Sequence, residues 1–93
     1  MQGAQMLGLE YVGQQVIVDL KSPFVCLGTF QQMDDHFMEL RNADLHDLRD
    51  TETTRENYVA ESKATGIKRN RKRVVLFRAE IAAISLLEDV VDD

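Results

Sequence analysis

The 93-residue chain contains one cysteine, one proline, no tryptophan and only six aromatic residues, four Phe and two Tyr. Cys26 has no second cysteine with which to form an internal disulfide, which fits a reducing, cytoplasmic setting. No apolar run approaches the ~18 residues of a membrane span, so no membrane association is expected. Residues 1–10 have neither a basic start nor a long apolar core, unlike a secretory signal. A chain this short is expected to form one domain, 1–93, burying roughly 65% of its unfolded surface. That leaves little room for a self-contained catalytic cleft. There is no nucleophile elbow and no phosphate loop, so neither an enzyme nor a cofactor is expected.

Charge of one sign is also scarce where it would be expected. The net charge is -5, from 11 Lys+Arg against 16 Asp+Glu. Seven of the cations (Lys63, Lys68, Arg69, Arg71, Lys72, Arg73, Arg78) fall between Ser62 and Ala79, a window with no acid. The rest of the chain therefore has four cations against sixteen acids, a balance of -12. An acidic body with one basic stretch is a statement about surfaces and partners rather than fold.

Hydrophobic content of 44% and charged content of 29% are those of a globular chain. Gln2 to Glu10 predicts a short helix, weakened by Gly3 and Gly8. Gln14 to Leu20 alternates apolar and polar residues and predicts a first strand. Lys21-Ser22-Pro23 predicts a turn. Phe24 to Met33 predicts a second strand, with Gly28 marking a bend or a close backbone approach. Asp34-Asp35 predicts the next turn, and His36 to Leu45 the third strand. Thr53 to Ala64 predicts a helix capped by Thr51, Thr53 or Thr54 and ended by Gly66. Its apolar content is thin, so it is expected to pack lightly or against a partner. Val74 to Phe77 predicts a fourth strand, Arg78-Ala79-Glu80 a tight connection, Ile81 to Leu87 a fifth strand, and 88–93 an acidic tail. Five short strands after a short helix predict a mainly β fold, a small bent barrel. The fifth strand is apolar on both faces. That points to a subunit interface through Val74, Leu76, Phe77, Ile81, Ala83, Ile84 and Leu86.

Three stretches resemble the Sm-like family, the ring-forming RNA-associated proteins that include the bacterial Hfq type. They are residues 13–20 (Gly-Gln-Gln-Val-Ile-Val-Asp-Leu), residues 28–34 (Gly-Thr-Phe-Gln-Gln-Met-Asp) and residues 74–84 (Val-Val-Leu-Phe-Arg-Ala-Glu-Ile-Ala-Ala-Ile). Residues 47–70 lie outside the resemblance and form an inserted helical and basic segment. The resemblance implies a five-stranded, strongly bent Sm-like (SH3-type) barrel with an N-terminal helix. It also implies a homo-oligomeric ring of six or seven subunits, joined by the fourth strand of one copy and the fifth of the next.

The resemblance further implies single-stranded RNA at the pore, held by a stacking side chain, an asparagine and an arginine. Arg78 matches the arginine. The stacker is His36 in one register and Phe37 in the register one residue later. The asparagine position is Met38 or Glu39, the glycine after Arg78 is Ala79, and the next residue is Glu80. The expectation is therefore RNA held through its phosphates, by Arg78 and the run Lys68, Arg69, Arg71, Lys72 and Arg73, rather than through a uridine pocket. The second reading is a protein–protein scaffold ring of the same fold without RNA binding. The long 47–70 connection is expected to project and dock a protein partner. His36 and His46, with Asp34, Asp35, Asp44, Asp47 and Asp50 nearby, match no recognised metal-ligand spacing. Cys26 reads as a buried, inert thiol.

Overall fold

A computed structural model describes residues 9–50 and 52–91. The expected helix over Gln2 to Glu10 lies almost wholly outside them, as does the candidate cap Thr51; residues 9–11 form a helical turn. The chain is mainly β. Five strands, β1 (Gln15–Leu20), β2 (Phe24–Met33), β3 (Phe37–Asp47), β4 (Arg71–Phe77) and β5 (Ile81–Leu86), make one antiparallel sheet in the order β4-β3-β2-β1-β5. One helix, α1 (Arg55–Thr65), lies between β3 and β4. Short 3₁₀ turns follow β3, β4 and β5. β4 begins three residues earlier than expected, so Arg71, Lys72 and Arg73 belong to a strand rather than to the connection before it.

The sheet bends where its register slips. On β3 two residues, Asn42 and Ala43, face the single Gly28 of β2, because Leu27 pairs with Asp44 and Thr29 with Arg41. One residue too many on one strand is a bulge, which bends and twists the sheet locally. Asn42 absorbs it with φ 50°, a left-handed conformation that asparagine tolerates better than most residues. Opposite it, a Cβ on Gly28 would stand 2.9 Å from the Ala43 Cβ and 3.1 Å from the Arg41 carbonyl oxygen. Gly28 is thus required by close approach. Gly28→Ala should cost about 1–3 kcal/mol through overpacking, read as a lower urea midpoint at unchanged slope. A second slip has Gln31 of β2 as its extra residue, since Phe30 pairs with Leu40 and Gln32 with the adjacent Glu39.

Strand alternation sends side chains to two faces. On one side Val16, Val18, Cys26, Phe30, Met38, Leu40, Ala43, Val74 and Leu76 form the main core. Burial pushes the Cys26 thiol up to about 12, so it stays protonated. On the other side Ile17, Val25 and Leu27 are covered by Tyr58 and Val59 of α1 and by Leu87.

The helix packs through few side chains, as its sequence predicts, but Tyr58 and Val59 are buried on the sheet, which corrects the expectation that it projects. Thr54 caps α1 by accepting from the Asn57 N–H at 3.1 Å, and Gly66 ends it with φ 99°. The Arg55 Nε donates to Asp19 of β1 at 2.8 Å, and the Lys63 Nζ donates to the Val90 carbonyl at 2.7 Å. Tyr58 and Val59 carry that packing, while Ala60 is half-buried and Ala64 exposed.

Candidate nucleic-acid interface

Two concavities lie at opposite ends of β4. The first is built by two turns. Asp34 closes the β2–β3 turn: its Oδ1 accepts from the main-chain N–H groups of His36 and Phe37, both at 2.8 Å. Those two bonds hold its carboxyl below the usual carboxylate range. The β4–β5 turn is tied to it, since the Arg78 N–H donates to the His36 carbonyl at 2.8 Å and its guanidinium to the Asp34 carbonyl at 2.6 Å.

The fold thereby brings His36, Phe37 and Arg78, 42 residues apart at the extremes of that group, to one rim with Phe77. Phe37 and Phe77 are cross-strand partners with ring centroids 5.4 Å apart. Phe77 is 63% exposed, and His36 packs edge-on to Phe37 at 6.4 Å. Both candidate stackers line the same depression, of about 710 Å³. Phe77 was expected at a subunit interface rather than here. Its second location was hidden because only the β3–β4 register sets it opposite Phe37. Neither candidate asparagine position offers an amide. Met38 is buried in the core, and Glu39 is tied to three neighbours.

Glu39 lies on the opposite side of β3 from Met38 and is itself buried. It accepts from Gln32 of β2 at 2.8 Å, from its neighbour Arg41 at 2.8 Å and from Arg73 of β4 at 2.7 Å. These hydrogen bonds lower its pKa from 4.5 to about 2. A depressed carboxyl stabilises the fold above its unfolded pKa, and that contribution disappears as the pH falls from about 4.5 toward 2. Urea midpoints of the wild-type chain should decline over that interval. Glu39→Gln should lack that part of the decline; an identical decline in both proteins would assign it to other carboxylates. The network also commits the Nε of Arg73, so this cation is partly compensated.

The second concavity, about 480 Å³, is lined by Arg41, Asn42, Arg69, Asn70, Arg71 and Lys72. Arg69 donates to the Asn42 Oδ1 at 2.9 Å, and Arg71 to the Asn70 carbonyl at 3.1 Å. Asn70 is clamped: its Oδ1 accepts from the Leu45 N–H at 3.1 Å and its Nδ2 donates to the Asp44 Oδ1 at 2.9 Å. The other oxygen of Asp44 accepts from the Tyr58 hydroxyl. Burial, with that bond, holds the Tyr58 phenol well above its ordinary pKa. Lys68 lies just before this cleft on the chain. Sequence reading found the cations here but missed Asn42 and Asn70, which orient them.

The expected interface residues divide by face. Val74 and Leu76 are buried in the chain's own core, and Ile81, Ile84 and Leu86 are partly buried against it. Phe77 and Ala83 are exposed, with Val75 at 41%. β5 is thus less two-faced than its sequence suggests: beyond Ile81, Ile84 and Leu86, its other side is Ala82, Ala83 and Ser85. Among the described residues no three His, Cys, Asp or Glu side chains converge on a metal-sized site, and no helix is long and apolar enough to cross a membrane. His46 stacks on Tyr58 at 4.2 Å under α1, away from His36. No protein-family model matches the chain, and no curated protein matches it.

Proposed function

We propose that the chain is a subunit of a cytoplasmic Sm-like homo-oligomeric ring, of six or seven copies, that binds RNA mainly through its phosphates. The observation that carries this reading is the convergence of His36, Phe37, Phe77 and Arg78 on one rim, beside a strand whose other end is basic. Exposed rings give bases a stacking surface without choosing among them, and guanidinium groups hold the backbone. With Met38 buried and Glu39 occupied, the rim offers no side-chain amide to read a base edge. The ring is supported by the strand order. It leaves β4 and β5 as the two edges of the sheet, and an antiparallel sheet closes through a neighbour when its own edges do not meet. In this reading α1 and the basic run are an insertion before the second Sm motif, and a protein partner at α1 would meet its outer, polar side.

A 12-nucleotide single-stranded RNA titrated at 50 and 200 mM salt tests the reading. A site touching about four phosphates should weaken roughly 50-fold over that range. No binding at 50 mM, or binding indifferent to salt, would reject it. The scaffold alternative draws on the exposed apolar strip of Phe37, Val75 and Phe77. It predicts an intact ring with no RNA affinity at either salt concentration.

A further inference from the structure

We infer that the cleft at the Asn42 bulge is a preorganised site for single-stranded nucleic-acid phosphodiester, separate from the aromatic rim. The inference rests on the RNA-binding reading above and goes further: it gives backbone binding to a particular cleft and names residues that position the cations.

The charges come first. Among the described residues, Arg69, Arg71 and Lys72 form no ion pair; the ion pairs present go to Asp19, Glu39, Asp47 and Glu56. Arg69 and Arg71 bind neutral oxygens instead, the Asn42 amide and the Asn70 carbonyl. A neutral acceptor fixes the direction of a guanidinium without cancelling its charge. The remaining N–H groups stay available to an anion, and a planar fork matches two phosphate oxygens. No carboxylate lines the cleft. The nearest acid in the network, Asp44, is buried with both oxygens occupied, by Tyr58 and Asn70.

The backbone supplies a second argument. Asn42 is the one non-glycine residue with positive φ among those described. It sits in the bulge that faces Gly28, and a bulge re-aims a side chain out of its regular alternation. That amide is the one that holds Arg69, 27 residues away. A strained asparagine that orients a cation over an open cleft, with no acid present to be satisfied, is a feature that core packing does not require.

Separation from the rim follows from the register. Phe77 and Arg71 lie at opposite ends of β4, six residues apart, or about 20 Å at strand rise. The ligand is assigned as phosphodiester backbone because the cleft offers cations and amides but no aromatic ring for a base.

The test is anisotropy titration of four labelled 12-mers (oligo-U, oligo-A, oligo-C RNA and oligo-T DNA) against the full chain between 50 and 300 mM salt. Arg69→Gln with Lys72→Gln removes two contacts. The salt slope should fall by about 1.4 and the affinity about 25-fold at 100 mM, equally for all four strands. Asn42→Gly keeps every cation and suits the left-handed backbone. It should leave the thermal midpoint unchanged or higher and the slope unchanged, while affinity falls several-fold because Arg69 loses its anchor. Phe77→Ser, at the rim, should lower affinity without changing the slope. If the wild-type chain binds no strand at 50 mM, the RNA reading and the cleft fall together. If it binds and the double variant keeps its affinity and slope, the cleft alone is refuted. A loss confined to one base or to RNA would overturn the phosphodiester assignment.

Discussion

Tyr58→Ala should lower the stability of the chain by about 3–5 kcal/mol, the range for deleting a buried aromatic side chain. Tyr58 is 8% exposed and stacks on His46 of β3, while its hydroxyl donates to the buried Asp44. Tyr58→Phe separates the two contributions. It keeps the ring and removes the donor, leaving a buried carboxylate oxygen unsatisfied, and should cost about 1–3 kcal/mol. Urea denaturation at constant slope reads both values. Removing residues 52–66 altogether would uncover Ile17, Val25 and Leu27 as well, and should leave no cooperative transition. A helix serving only as a projecting partner-docking arm would give the opposite result, a deletion variant as stable as the wild type. The same network links the roof to the cleft. Asp44 holds Asn70, and Asn70 holds Arg71 through its carbonyl, so Tyr58→Phe should also weaken binding of the 12-mers.

Val75→Lys should convert the proposed ring to monomers. Val75 is central in the edge strand β4, 41% exposed, and opposite Glu39. A lysine there leaves the core untouched, because Val74 and Leu76 are the residues that face inward. On the edge it sets a solvated charge where a neighbour's strand would pack, a device natural sheets use against pairing. The expected result is a fall in mass from six or seven subunits, about 64 or 74 kDa, to the 10.6 kDa of one chain. The far-ultraviolet circular dichroism should not change. Loss of both mass and ellipticity would mean that the substitution damages the sheet itself.

Much of the strand layout was legible because each local signal had a physical cause that does not depend on tertiary context. Alternation across 14–20 gave β1 to within a residue, Pro23 and Asp34 marked the turns, and Gly28 and Gly66 stood where close approach and a positive φ require glycine. The start of β4 was missed because Arg71, Lys72 and Arg73 are exposed edge residues, and an edge strand need not alternate. The docking of α1 was missed because Tyr58 and Val59 carry it with Ser62, too few apolar positions to show a helical stripe. The candidate site was half visible. Charge and the resemblance picked out Arg78, His36, Phe37 and the basic run. Phe77 joins the rim only through its register with Phe37, and Asn42 reaches Arg69 only through a bulge. Pairings between residues 27 or 40 positions apart leave no mark in local sequence.

Native mass spectrometry of the full chain, with and without a mixed pool of short single-stranded RNAs at low salt, tests the central claim most directly. The account predicts a single closed assembly of six or seven subunits that gains the mass of bound RNA and loses it as salt is raised. A stable monomer that takes up no RNA would contradict it.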